Sequence, residues 1–113
     1  MPMPADYNQN HDDLYTELIV SASIYLDHGS DIAVEVRRGM TILTSEGREA
    51  GRVAAVIIDR HSQQATHILL SRLSQLLEYR LVPVALIEQV HEEKVLLRIF
   101  NQDVNSLPMW HGS

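Results

Sequence analysis

The sequence predicts an all-β fold: a small, partly open β-barrel with an N-terminal β extension and a short helical turn. Its 113 residues suit one domain. Apolar residues make up 45% of the chain and charged residues 21%, a balance that supports a packed core. From residue 39 onward, turn signals separate short runs of β-branched and apolar residues at the spacing typical of small barrels and sandwiches.

The first 38 residues combine a polar leader with a segment that has a β pattern. Residues 1–13 hold prolines, asparagines and aspartates and almost no large apolar side chains, so we expect a disordered tail there. Residues 14–38 are expected to form a β extension, because Ser21 and Ser23 alternate with apolar neighbours. Apolar side chains at positions 14, 18, 22 and 25 also recur at helical spacing, so a helix is the alternative. A turn is expected at residues 27–31.

Residues 39–100 are expected to form the barrel. Gly47 suits the turn after the first run, because glycine adopts positive φ angles without a steric penalty. The nearly unbroken apolar run at residues 51–59 predicts a strand covered on both faces. Pro83 cannot donate to a ladder and ends the fourth run, and residues 84–90 form the best helical candidate. The runs expected as strands are 40–44, 51–59, 65–71, 79–82 and 94–100.

Charge and cysteine content argue against several classes of function. The net charge is −6, and residues 1–38 contribute seven acidic and two basic side chains to it, whereas residues 39–100 hold seven of each sign. A neutral barrel behind an acidic leader does not suit phosphate contacts, so we expect no nucleic-acid partner. The chain has no cysteine, which excludes disulfides, cysteine-ligated metals and thiol catalysis.

Two further features of the sequence predict a cytoplasmic location. Its N-terminus is acidic and lacks the basic region and apolar run of a secretory signal. Its apolar stretches are too short to span a bilayer, so no transmembrane segment is expected.

Residues 39–99 resemble the PRC-barrel family, named for the cytoplasmic barrel of the photosynthetic reaction-centre H subunit. The loop at residues 72–78 lacks the glycine that this family usually has there, and residues 14–36 lie outside the pattern. The C-terminal segment LPMW (107–110) is similar to the ending of stand-alone members, where it packs on the barrel. The motifs that carry the resemblance are, in chain order, GMTILTSEG (39–47), REAGRV (48–53), VIID with ATHILL (56–59 and 65–70), RLVPV (80–84), and EQV with KVLL (88–90 and 94–97).

The resemblance implies a protein-binding or assembly module without a cofactor. Family members act as docking surfaces in a membrane complex or, in ribosome-maturation factor M, in assembly of the small ribosomal subunit. A membrane-complex partner and a role in RNA processing or ribosome maturation are therefore implied as alternatives. No motif in the sequence supports catalysis, so the chain is expected not to be an enzyme, and a metal-binding or enzymatic protein is the further alternative.

Several polar residues invite a chemical hypothesis. Six histidines suggest a metal site, with His61, His67 and His91 as candidates. None of them shows the spacing of a recognisable ligand set, so we favour structural or surface roles and expect no metal. Arg48 and Arg52 flank a glycine and suit an anion, although neighbouring glutamates favour salt bridges instead. No nucleophile motif or phosphate loop is present, and no catalytic residue is assigned.

The candidate interface is apolar and lies in three parts of the chain. Residues 14–36 carry apolar side chains on both alternating faces, so one face is expected to pack on the barrel and the other to form a homodimer. The alternative is a monomer in which the segment folds wholly on its own barrel. Trp110 is expected to dock in a groove of its own domain, with a partner anchor as the alternative. The candidate interface residues are Ile19, Ile24, Tyr25, Leu26, Leu76, Leu77, Tyr79 and Trp110.

Overall fold

The computed structural model describes residues 16–26, 33–73 and 76–111. The predicted disordered tail (residues 1–13) and the predicted turn at 27–31 lie outside these ranges. Within them the chain forms nine strands, one 3₁₀ turn (Val84–Leu86) and one short helix, α1 (Asn101–Val104). The strands are β1 (Thr16–Ile19), β2 (Ser21–Tyr25), β3 (Ala33–Arg37), β4 (Thr41–Leu43), β5 (Glu49–Asp59), β6 (Gln64–Leu73), β7 (Leu77–Pro83), β8 (Ile87–His91) and β9 (Lys94–Leu97).

The predicted all-β, partly open architecture is confirmed. Seven strands form one sheet in which the order is β7-β6-β5-β4-β9-β8, and β1 also pairs with β5. Neighbouring strands are antiparallel except β4 and β9, which are parallel. Strands β7 and β8 stand at the two ends of this order and do not pair with each other, so the described sheet curls without closing.

The described parts of residues 14–38 form β-strands, as their alternation predicted. Strand β1 runs along β5 from the Thr16–Asp59 pair to the Ile19–Val56 pair, on the same edge of β5 as β4. Between β1 and β4, strands β2 and β3 form a separate hairpin. The base of this hairpin is closed by a hydrogen bond of 2.8 Å from the Arg38 amide to the Val20 carbonyl.

The hydrophobic core lies between the curled sheet and the β2–β3 hairpin. The hairpin contributes Ile24 and Val36, which are 3% and 0% exposed. The sheet contributes alternate residues of its long strands, as expected when one face of each strand is inside. The largest of the fully buried side chains are Met40, Ile42, Ile68, Leu70, Ile87 and Leu97.

Residues 84–90, the best helical candidate in the sequence, are mostly not helical. Only Val84–Leu86 form a single 3₁₀ turn, and β8 begins at Ile87. Ile87 is buried while Glu88 and Gln89 are exposed, and a bulge shifts the β8–β9 register between Ile87 and Gln89. The short apolar run alone does not distinguish a helical turn from a strand that begins with an irregularity.

The C-terminal segment covers one end of the core. Val104 in α1 and Leu107 after it are buried. The Asn101 amide at the start of α1 donates to the Glu46 carboxylate at 2.9 Å, and the Thr44 hydroxyl bonds to the Asn101 side chain. These contacts attach α1 to the turn that follows β4.

Gly51 lies close to the backbone of β6. A Cβ atom at this position would lie 2.2 Å from the Ser71 carbonyl oxygen, inside van der Waals contact. We predict that Gly51→Ala lowers the free energy of unfolding by about 2 kcal/mol, because the two backbones must separate. Urea unfolding of the two proteins measures the difference.

Gly47→Asn provides the matched control. Gly47 has a φ of 81° but open space around it, and asparagine tolerates the left-handed region. Equal losses for the two variants would contradict the steric explanation at Gly51.

Candidate functional site

The sheet has a second apolar surface on the side opposite the core, formed by β1, β5, β6 and β7. We call it the outer face. Its members follow from strand alternation, because Val56 and Ile68 point into the core and their neighbours point away. The central row consists of Ala55 paired with Leu69 and Leu69 paired with Leu81. The next row consists of Leu18, Ile57, His67 and Pro83.

A groove of about 390 Å³ lies on the outer face. Leu18 and Val20 form one wall, and they are 47% and 62% exposed. The aromatic rings of Tyr79 and Trp110 lie in the groove lining as well. The short side chains of β5 and Leu69 of β6 complete it, since a bulge at residues 53–55 brings two consecutive alanines to this surface. The groove is therefore apolar along most of its lining.

The C-terminal segment positions Trp110 beside the outer edge of β7. The Trp110 amide donates to the Tyr79 carbonyl, and the Leu81 amide donates to the Pro108 carbonyl, each at 2.9 Å. The rings of Tyr79 and Trp110 meet edge to face, with centroids 6.0 Å apart and an interplanar angle of 86°. Both rings then hold each other in place, as is usual for such aromatic pairs.

Arg80 attaches the same segment from the core side. Its Nη1 donates to the Asn105 carbonyl at 3.0 Å and to the Leu107 carbonyl at 2.6 Å, while its Nε donates to Glu78 at 2.8 Å. The Arg80 side chain is 13% exposed, so these bonds are largely shielded from water. One guanidinium thus fixes the chain that leads to Trp110.

The two ends of the outer face carry opposite charges. Arg38 lines the groove next to Val20, and Arg52 lies on the outer side of β5, where its Nη1 donates to the Gly39 carbonyl at 3.3 Å. Asp59 lies on the same side at the other end of β5 and accepts a bond of 2.8 Å from the His61 amide. In the part of the chain that the structure describes, no carboxylate pairs with either arginine and no cation pairs with Asp59.

The structure divides the candidate interface residues among four places. Ile19, Tyr79 and Trp110 come together in the groove. Ile24 is buried in the core and offers no surface to a partner. Leu26 and Ile19 are both half-buried and pack against the core, so only part of each side chain is accessible. Tyr25 is 67% exposed on the hairpin, and Leu76 and Leu77 are exposed where β7 begins.

Sequence reasoning did not identify Leu18, Val20, Ala55, Leu69 and Arg38 as parts of one site. The signal that was present is the apolar character of both alternating faces in residues 14–36. That pattern predicts that both faces of the segment make contacts. It does not identify which face packs on the rest of the domain.

The polar clusters weighed from the sequence do not converge on a chemical site. His61 and His91 are exposed and His67 is half-buried, and the structure shows no group of three potential metal ligands among the residues it describes. A second depression of about 450 Å³ contains Arg52, Arg72 and Glu49. Arg72 donates to the Asn105 side chain at 2.8 Å and lies 3.9 Å from the Glu78 carboxylate, which also pairs with Arg80.

Comparison with protein-family models and with curated proteins finds no match for this chain. Among the described residues, no helix has the length and hydropathy needed to cross a membrane. The fold and the outer face are therefore the observations from which a function is proposed.

We predict that Arg80→Met lowers the free energy of unfolding by about 2 kcal/mol, because methionine keeps the apolar stem and loses the charged hydrogen bonds. The emission of Trp110, the only tryptophan, should shift toward that of a solvent-exposed indole. Urea unfolding followed by fluorescence measures both quantities.

Arg48→Met is the control for this substitution, because Arg48 is exposed and forms no ion pair within the described ranges. If both variants had the same stability and the same emission, Arg80 would not attach the C-terminal segment.

We predict that the stability of the protein falls on acidification because of His67. Burial lowers the pKa of His67 below its ordinary value of 6.5, since the charged imidazolium is poorly solvated there. The unfolded state therefore binds more protons than the folded state between the two pKa values, and stability declines as the pH falls from about 6.5 through the folded pKa.

Comparison with His67→Gln isolates this effect, because other groups titrate in both proteins. The difference in urea midpoint between wild type and variant should change in the acidic range and be constant above pH 7. A difference that is independent of pH would contradict the prediction.

Proposed function

We propose that this chain is a non-enzymatic module of the PRC-barrel type, which binds a protein partner or joins an assembly through its outer face. The observation that carries the proposal is the apolar groove, whose wall residues Leu18 and Val20 are about half exposed. Contiguous apolar surfaces of this kind typically mark interaction sites. The partly open all-β fold and the order of the family-like motifs from residue 39 to 99 also support it.

The composition of the groove fits protein recognition. Tyrosine and tryptophan are enriched where proteins bind one another, because they bury a large area at a low cost in side-chain entropy. Tyr79 and Trp110 supply both aromatic types, and the hydrogen bonds of Arg80 and the β7 edge hold them in place before any partner arrives. A preorganised surface loses less entropy on binding.

We further propose that the module works in a cytoplasm and as a homodimer. The absence of cysteine supports an intracellular setting. The exposed apolar side chains of β1 and its connection, Leu18 and Val20, support self-association. They replace Ile24 and Leu26 as the residues through which residues 14–36 would meet a second copy.

A role on RNA is less well supported by the charges. Five arginines already form ion pairs with carboxylates, namely Arg37, Arg60, Arg72, Arg80 and Arg98. Phosphate contacts by these side chains would require breaking those pairs, whereas nucleic-acid affinity depends on cations that are available for phosphates.

Val20→Asp tests the proposal, because it places a charge in the groove wall without disturbing the core. We expect it to weaken association, both of the chain with itself in sedimentation velocity and with any protein crosslinked to it in its native host. Circular dichroism and thermal unfolding should be unchanged.

Phe100→Asp is the matched control. Phe100 is 55% exposed and lines a different depression, beside Glu46 and Arg48. The proposal fails if Val20→Asp changes none of these associations, or if Phe100→Asp abolishes them to the same degree.

A further inference from the structure

We propose that the outer face packs against the outer face of a second copy of this chain, related by a twofold axis that lies in the interface and runs across the strands. This inference rests on the proposed use of the outer face for assembly, and it adds the partner and the geometry. Its basis is the placement of opposite charges at opposite ends of one apolar surface.

The symmetry argument starts from the charges. A twofold interface uses the same patch on both copies, so the patch must be complementary to itself. Arg52 and Asp59 lie seven residues apart on the outer side of β5, at opposite ends of the apolar rows, which is about 20 Å along a strand. A surface with one sign of charge throughout would repel its own copy, but a surface with separated opposite charges attracts it in one orientation.

The orientation follows from this separation. A twofold axis that crosses the strands reverses the strand direction of the second copy, so Arg52 and Arg38 approach Asp59 of the second copy, and the converse contact forms at the other end. An axis that ran along the strands would bring the arginines of both copies together. The charges therefore select the first arrangement.

The apolar rows fit the same arrangement. Ala55, Ile57 and Leu69 are only 9%, 6% and 3% exposed, so the more exposed side chains around them make the contact. With the axis between the Ala55–Leu69 row and the Ile57–His67 row, the side chains beside each row face those beside the other row of the second copy. Leu18 of one copy then packs near Val20 of the other. Two sheets stacked in this way lie about 10 Å apart, with their strands within about 30° of alignment.

Three described arginines have no carboxylate partner, namely Arg38, Arg48 and Arg52, and Arg38 and Arg52 belong to the outer face. Asp59 on the same face has no cationic partner among the described residues. Pairing with a second copy places the Asp59 carboxylate of one copy near Arg52 and Arg38 of the other. A partner of different sequence could also bind the groove. Such a partner would give no reason for the two ends of the outer face to carry opposite charges.

Charge exchange within one chain tests the geometry, because each exchanged residue appears on both copies. Asp59→Arg and Arg52→Asp should each weaken dimerisation about tenfold, since like charges then face each other. The double variant Arg52→Asp/Asp59→Arg restores opposite charges in the proposed arrangement and should regain most of the wild-type affinity. Sedimentation equilibrium over a range of concentrations of the full chain measures all four proteins.

Two further variants distinguish effects on folding and on the outer face as a whole from effects on the twofold arrangement. Asp59→Asn keeps the acceptor for the His61 amide and removes the charge, so it should weaken the dimer less than Asp59→Arg at unchanged thermal stability. Val20→Asp reports on the outer face itself.

The outcomes distinguish this inference from the proposed function. Recovery of affinity in the double variant supports the twofold arrangement. A dimer that Val20→Asp disrupts but the double exchange does not restore overturns the arrangement and leaves the outer face as the docking surface. A wild-type chain that is monomeric at every concentration also overturns it, and crosslinking of a different protein through the outer face would then identify a heterologous partner. A dimer that Val20→Asp does not affect overturns both.

Discussion

The structure depends on the pairing of β5 with β6. Strand β5 is eleven residues long and shares one edge with β6 along most of its length, while its other edge holds β4 near its start and β1 near its end. The close approach of the two backbones at Gly51 lets this pairing begin early in β5. Strand β5 pairs with β1, β4 and β6, so the side chains on its two faces contribute to the core and to the outer face.

Strands β1 and β4 pair with the same edge of β5, and this arrangement explains the position of the β2–β3 hairpin. The chain leaves the β5 edge after Ile19, forms β2 and β3, and returns at Met40, with the Arg38 to Val20 hydrogen bond joining the two crossing points. The hairpin then covers the core with Ile24 and Val36. The hairpin covers the inner face of the sheet, whereas Leu18 on the outer side of β1 is 47% exposed.

Local pattern was sufficient for the strands of residues 40–71, where turn residues bound each run and alternation identifies the sides of each strand. It failed at residues 84–90, where adjacent apolar residues suit a helical turn and an irregular strand equally well. It also could not assign the candidate site. Ile24 and Leu18 have similar side chains in one apolar segment, and only the long-range pairing of β1 with β5 places Leu18 outside and lets the hairpin turn Ile24 inward. Trp110 was identified as the only tryptophan and Tyr79 as a neighbour of the Leu76–Leu77 pair, but their contact depends on the C-terminal segment lying along β7.

The energetics of the outer face indicate how strongly it can associate. Full burial of a valine or leucine side chain contributes about 1.5–3 kcal/mol, and the half-exposed Leu18 and Val20 can gain only part of that. The loss of translational and rotational freedom on association costs about 4–15 kcal/mol, which a few half-buried apolar residues offset only weakly. Charge complementarity contributes more to orientation and to the rate of encounter than to affinity. An apolar centre with charged ends is therefore suited to an association that is specific in geometry, moderate in strength and dependent on concentration. Such an association can form and dissolve as the amount of the protein changes, which is the behaviour expected of an assembly module rather than of an obligate oligomer.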